Sequence, residues 1–111
     1  MLEYWLWLAH RPNLNEHQKL LLLQSFQSPE AVYQAAPREF DVFSGITAQG
    51  KLALSDRNLA LYRATLDYCY REGIHILTFR DEAYPQRLKN IYDPPLVLYY
   101  KGPFPRLDGV P

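Results

Sequence analysis

The spacing of apolar residues along the chain changes at Gly73. Before this residue, apolar side chains recur every three or four positions, which is the period of a helix that buries one face. After it, residues 74–79 and 96–100 are dense in aliphatic and aromatic side chains, as strands are. The pattern therefore predicts helices in the first part of the chain and two strands in the second.

Several short helices are predicted in the first half of the chain. The first, which ends before Pro12, has apolar groups nearly all round and should lie deep in a core. Ser28-Pro29-Glu30 combines a hydroxyl N-cap, a proline at the first helical position and an acid in the first turn, where the helix dipole favours negative charge. Further helices are predicted at residues 16–26, 29–35, 38–43 and 48–54, the last of them capped by Thr47.

The longest helix is predicted to begin at Ser55 or Asp56 and to end at Glu72. Gly73 follows at the position where helices often end in a left-handed residue, so a positive φ is expected there. An apolar stripe at three- and four-residue steps should face the core. The stripe consists of Leu59, Tyr62, Leu66, Cys69 and Tyr70.

The two predicted strands are separated by residues 80–95, a segment long enough for a helical crossover. A crossover is compatible with a parallel pair of strands. Because both strands are nearly continuous in apolar residues, we expect the sheet to be covered on both faces. An isolated two-stranded unit is marginal in water, so residues 74–100 should be ordered by packing on the long helix or by a second copy of the chain.

These elements divide the chain into a helical part, residues 1–72, a strand–helix–strand unit, residues 73–102, and a linker or tail, residues 103–111. Short helices joined by tight turns favour a compact helical bundle. The predicted fold class is therefore α with a small α/β appendage.

Composition and charge exclude some function classes. The formal net charge is zero, whereas a protein that neutralises nucleic-acid phosphates usually shows a basic excess. The single cysteine, Cys69, cannot form an internal disulfide and is expected to be a small buried thiol. Since neither a membrane-spanning apolar stretch nor a secretory signal is visible, a cytoplasmic protein without a membrane partner is expected.

No group of residues predicts a catalytic centre, a metal site or a bound cofactor. Asp81 and Tyr84 are better explained as a turn cap and a packed tyrosine than as an acid–base pair. His10 should follow a helix end, where an imidazolium meets the C-terminal dipole. His17 should lie on a polar helix face and His75 should point outward from a strand. No serine or cysteine accompanies these histidines in a nucleophilic setting, so we expect no enzyme.

The second part of the chain carries a dense and ordered set of residues that form a recognisable motif. It comprises Gly73-Ile74, Leu77-Thr78, Asp81, Tyr84-Pro85, Leu88, Asp93-Pro94-Pro95, Leu98 and Lys101-Gly102. This set resembles the DNA-processing protein A (DprA/Smf) family. The segment Phe26-x-Ser28-Pro29-Glu30-Ala31 also resembles the amino-terminal module of that family, so the resemblance extends over nearly the whole chain.

The resemblance implies a bacterial cytoplasmic protein that binds single-stranded DNA and helps to load the RecA recombinase in natural transformation. It implies that the helical part is similar to a sterile-alpha-motif (SAM-like) or helix-hairpin-helix fold. Residues 73–102 would then be the first two strands of a Rossmann-like domain that carries DNA binding and dimerisation. Its glycine-, serine- and arginine-containing loop is expected beyond Pro111, so the DNA-binding residues are unknown. The chain by itself should bind single-stranded DNA weakly or not at all.

The turn Pro12-Asn13-Leu14-Asn15 departs from a DNA-binding helix-hairpin-helix, whose glycines let backbone amides approach a phosphate. Asparagine tolerates left-handed geometry, so the turn can form, but Arg11 is the only cation beside it. We therefore predict a structural turn there.

Trp5 and Trp7 are likewise expected in the core, because no basic residues are interleaved with them. Two other function classes remain open beside the resemblance. One is an interaction module that docks a protein or a second copy through its helical face. The other is a nucleotide hydrolase on a related fold, whose catalytic residues would lie beyond Pro111.

Overall fold

The computed structural model describes residues 2–102, so the predicted linker or tail at 103–111 lies outside the described residues. Six α-helices, one 3-10 helix and two strands make up this part of the chain. In chain order they are α1 (Leu2–Ala9), α2 (Glu16–Phe26), α3 (Pro29–Gln34), the 3-10 helix (Pro37–Val42), α4 (Ala48–Leu54), α5 (Ala60–Glu72), β1 (Ile74–Thr78), α6 (Gln86–Lys89) and β2 (Val97–Lys101).

The predicted helix starts are confirmed where a side-chain cap was expected. The Ser28 hydroxyl accepts a hydrogen bond from the amide of Ala31 at 3.1 Å. The Thr47 hydroxyl accepts one from the amide of Gly50, also at 3.1 Å. These caps satisfy backbone donors that the first helical turn leaves without partners.

The predicted start of the longest helix is wrong by four or five residues. Helix α5 begins at Ala60, because two polar side chains upstream of it bond locally to the backbone. Asp56 accepts from the amide of Asn58, and Asn58 accepts from the amide of Ala60, each at 2.9 Å. Such local bonds compete with helix formation. At the other end, the φ of Gly73 is 69°, which confirms the predicted left-handed cap.

Helix α1 lies in the centre of the helical part, as its apolar composition predicts. Leu6, Trp7 and Leu8 are fully buried on successive sides of this one helix. Helix α1 packs against α3, α5 and β2, so every side of its second turn meets protein. The same cluster includes Leu96 and Val97, and it therefore joins the strand unit to the helices.

The two strands pair antiparallel, so the parallel pair that a helical crossover would allow is not formed. Ile74 lies opposite Lys101, and Thr78 lies opposite Val97. The connecting segment contains only one turn of helix, α6, and it folds back instead of crossing over the sheet. Cover on both faces is also wrong along most of the sheet, because burial is concentrated at the Thr78–Val97 end.

The coarse fold class is confirmed, since the described chain is mostly helical and carries a small two-stranded unit. The SAM-like and Rossmann-like assignments remain predictions. Among residues 2–102, no helix is both long and apolar enough to cross a membrane.

Candidate nucleic-acid interface

The motif residues of the second part build the connection between the strands. The Asp81 carboxylate accepts a hydrogen bond from the amide of Thr78 at 2.7 Å, and so it closes the turn that follows β1. The Tyr84 hydroxyl donates to the carbonyl of Pro95 at 2.8 Å. The Tyr84 ring meets Phe79 edge-on, with 5.3 Å between the ring centroids. The structural interpretation of Asp81 and Tyr84 is thus confirmed.

Tyr84 is held in its protonated form. Burial of the phenol, with a smaller contribution from the Glu16 carboxylate, raises the pKa of Tyr84 to about 12. A phenol with so high a pKa remains a hydrogen-bond donor at neutral pH and does not exchange its proton as a general base would. Its role is to fix the segment before β2.

The Asp93-Pro94-Pro95 segment positions the next residue, Leu96, in the core. Pro94 and Leu96 are fully buried. The carbonyl of Leu96 accepts from the amide of Phe79 at 2.8 Å, which extends the pairing of the strands by one bond. This motif therefore anchors the strand unit to the helical part.

Cationic side chains from distant segments cap the carboxyl ends of three helices. Arg80 donates to the carbonyls of Gln27 and Leu23 at the end of α2. Arg57 donates to the last carbonyls of α3, and Lys19 to the final carbonyl of α1 at 2.6 Å. None of these helices has a basic residue in its own last turn. The caps satisfy free carbonyls and oppose the negative end of each helix dipole.

Arg11 is the most buried of these cations, with 4% of its surface exposed. Its guanidinium donates to the carbonyl of Trp7 at 2.9 Å, the carbonyl of Ala53 at 2.8 Å and the hydroxyl of Tyr62 at 2.6 Å. It also lies 4.9 Å from the centre of the Trp7 ring. The single cation beside the first turn thus faces the interior and cannot reach a phosphate.

The turn itself has the structural role that was predicted. Asn13 adopts a left-handed φ of 63°, and Asn15 caps α2 by accepting from the amide of Gln18 at 2.8 Å. The Gln18 side-chain oxygen in turn accepts a hydrogen bond from the amide of Asn15 at 3.0 Å, which completes a capping box. With both asparagine positions engaged in folding the turn, the helical part has no glycine-lined phosphate site here.

His10 and Tyr99 form the wall of a groove of about 390 Å³ between α1, α5 and β2. His10 Nε2 lies 3.1 Å from the Tyr99 hydroxyl, and the imidazole stacks on Tyr62. Burial, followed by the charges of Lys19 and Arg11, lowers the pKa of His10. The lowered pKa disfavours the expected imidazolium at this helix end, and burial of the ring is the main cause.

The other two histidines also stack on tyrosines. His17 lies on the exposed face of α2 and stacks on Tyr92 with the ring centres 5.4 Å apart. His75 points outward from β1, as predicted, and stacks on Tyr100 at 4.9 Å. These rings offer flat, solvent-facing surfaces and no nucleophile.

A second groove, of about 440 Å³, lies where α5 meets β1. Tyr70, Asp67, His75 and Ile74 are among its lining residues. The predicted burial of Tyr70 is wrong, because 89% of this side chain is exposed. The groove extends to Leu2 at the start of α1, and within residues 2–102 the ring of Tyr70 at its rim stays exposed. The spacing of apolar residues could not show this exposure, because it identifies the apolar face of a helix but not how much of that face other elements bury.

Cys69 and Trp7 are buried, as predicted, and Trp5 is partly buried against the same core. Among the described residues, no cluster of histidine, cysteine, aspartate and glutamate is arranged to hold a metal ion. The features that remain available to a ligand are exposed aromatic rings and cations near the sheet.

The second part of the chain matches a known protein family. The family model for DNA recombination-mediator protein A matches residues 75–110, less than half of the chain. No curated protein and no solved structure matches the chain. The matched segment contains the turn of Asp81, the buried Tyr84 and strand β2, which are the parts that carry the sequence motif. The predicted resemblance to this family is therefore confirmed for residues 75–110.

Proposed function

We propose that this chain is the amino-terminal module of a protein that binds single-stranded DNA and loads RecA in natural transformation. The observation that carries this proposal is the family match on residues 75–110. Residues 73–102 begin a Rossmann-like domain, and the residues that bind most of the DNA lie outside this chain. The helical part is a SAM-like module that supports the strand unit through Leu96 and Val97.

Four cations agree with the proposal that most of the DNA binding lies elsewhere. Arg11, Lys19 and Arg57 of the helical part donate to carbonyls within the protein, and Arg80 of the strand unit does the same. A cation engaged in this way is not free to release counterions from a phosphate backbone. These four cations therefore contribute little to DNA affinity.

The alternative function is protein docking by the helical part without DNA binding of its own. It is favoured by two apolar side chains on the surface of this part, Val42 at 81% and Leu52 at 73% exposed. Leu52 lines a shallow groove between the 3-10 helix and α4, together with Arg38 and Lys51. RecA or a second copy of the chain would be the partner.

We also propose that the chain is neither an enzyme nor the holder of a cofactor, and that it acts in the cytoplasm. The residues with the chemistry for proton transfer have other roles, since Tyr84 is a fixed donor and His10 is packed on Tyr62. The remaining histidines stack on exposed tyrosines.

The test is the deletion of the gene in a naturally transformable host. Transformation by chromosomal DNA should fall by orders of magnitude, while DNA uptake into the cell remains normal. Expression of residues 1–111 alone should not restore transformation, because the DNA-binding loop is missing. An unchanged transformation frequency after deletion would refute the proposed function.

A further inference from the structure

We propose that the groove between the end of α5 and strand β1 holds one base of a single-stranded DNA, with guanine preferred. This inference rests on the proposed association with DNA but assigns a contact to residues of this chain. The groove is formed by the last turns of α5, the start of β1 and Leu2. Its volume of about 440 Å³ lies within the range of small-ligand sites.

The ring of Tyr70 flanks the groove on the helix side, and 89% of this side chain is exposed. The strand side of the groove is apolar, with Ile74 and Ile76 of β1 beside Leu66 of α5. Because side chains alternate along a strand, the ring of His75 lies with Tyr100 on the other face of the sheet, and His75 only borders the groove. Proteins bind unpaired bases by stacking them on such aromatic side chains.

Asp67 provides a polar group for the edge of the base. It is an exposed residue of α5 and lines the same groove as Tyr70 and His75. An ionised carboxylate only accepts hydrogen bonds, so it selects bases that present donors. Guanine presents a ring N–H next to an amino group, and these two donors match the two carboxylate oxygens. Thymine has a single ring N–H between two carbonyls, which a carboxylate repels.

Two cations lie where the backbone of the bound strand would pass. Arg71 follows Tyr70 in α5, and Lys101 lies opposite Ile74 in the sheet. Both are exposed, and within the described chain neither takes part in a side-chain hydrogen bond or ion pair. In contrast to the cations that cap helices, they can meet a phosphate. The carboxylates of Glu72 and Asp67 oppose these two cations, so the charge favours one or two phosphates rather than a long strand.

A site for one base binds weakly, which agrees with the expected low affinity of this chain for DNA. The probes are deoxyguanosine monophosphate and thymidine monophosphate, added to the uniformly ¹⁵N-labelled 111-residue chain. The amide chemical shifts of residues 66–76 should change as deoxyguanosine monophosphate is added, until the site is saturated. At equal concentration, thymidine monophosphate should cause changes that are several-fold smaller.

Tyr70→Ala should raise the dissociation constant at least about tenfold, since it removes the stacking wall. The matched control is Tyr92→Ala, because Tyr92 is also highly exposed, at 79%, and stacked beside a histidine. Arg71→Ala should weaken binding by a smaller factor that vanishes at high salt, whereas Arg38→Ala should have no effect.

Three outcomes would overturn the base site. The first is the absence of saturable amide chemical-shift changes in residues 66–76. The second is an equal effect of Tyr70→Ala and Tyr92→Ala on the dissociation constant. The third is that the unchanged chain and the Asp67→Asn variant both bind the two nucleotides with equal affinity. Because these positions are exposed, the variants should remain folded, and their amide spectra verify this in the same experiment. The deletion experiment is independent, so the base site can fail while the role in transformation stands.

Discussion

Replacement of Arg11 by alanine should destabilise this protein more than any exposed substitution. The guanidinium is 4% exposed and makes three hydrogen bonds, to the carbonyls of Trp7 and Ala53 and to the hydroxyl of Tyr62. These partners belong to α1, α4 and α5, so one side chain joins three helices. Alanine would leave the three oxygens buried without their donors and would open a cavity beside the Trp7 ring.

The magnitude follows from these contacts. Each hydrogen bond to a charged group contributes about 1.5–3 kcal/mol, but the cost of burying the guanidinium offsets part of the total. Removal of one partner from a buried charged network costs about 3–5 kcal/mol, which we expect for Arg11→Ala. The ion pair with Asp56 adds little, because the carboxylate is 52% exposed. The loss is a large share of the roughly 5–15 kcal/mol that stabilises a typical domain.

Urea unfolding followed by tryptophan fluorescence measures this loss. Arg11→Lys should recover only part of the stability, because an ammonium keeps the charge but cannot reproduce the planar fork. Arg38→Ala is the matched control at an exposed arginine and should change the free energy of unfolding by less than about 0.5 kcal/mol. If Arg11→Ala were as mild as the control, the buried guanidinium would not hold the helices together.

Four further outcomes are expected. Gly73→Ala should lower the free energy of unfolding by roughly 1 kcal/mol through the left-handed φ alone, since an added Cβ meets no atom within 4 Å. The control Gly45→Ala should be nearly neutral, and equal shifts in the thermal midpoints of the two variants would contradict this. Because the pKa of His10 is lowered from 6.5, the unfolded chain takes up a proton first as the pH falls, so stability should decrease below about pH 6.5, and His10→Gln should reduce that decrease in urea midpoints. Light scattering should show whether residues 74–100 are ordered within a monomer, as their packing on α1 and α5 indicates, or through a second copy; a monomer with both strands disordered would refute both versions. Anisotropy with a labelled oligonucleotide at moderate salt should show weak binding or none, and a submicromolar affinity would contradict it.

Much of the local structure could be predicted because its causes lie within a few residues. The caps at Ser28 and Thr47 involve amides three positions away. The left-handed ends at Gly73 and Asn13 follow from the few residue types that tolerate this geometry. The family motif could be recognised for the same reason, since the turn of Asp81 is a local device.

The candidate base site was harder to predict. The apolar period placed Tyr70 with the buried stripe of α5, but 89% of this side chain is exposed at the rim of the groove. Its neighbours in the groove, Ile74 and Ile76, come from β1, and only the way in which this strand folds back beside α5 brings them together. An expectation based on spacing could identify each residue but could not place them on one surface.

The sequence by itself determined the order and most bounds of the helices, the position of both strands and the family resemblance of the second part, because local bonding and period control these features. The tertiary structure alone decided which way the strands pair and which cations remain free. Arg11, Arg57 and Arg80 cap carbonyls that lie far from them in the chain, and no local pattern distinguishes them from the exposed Arg71. The physical reason is that a helix end needs a donor that is close in space, and only the packing of the whole chain determines which residue provides it.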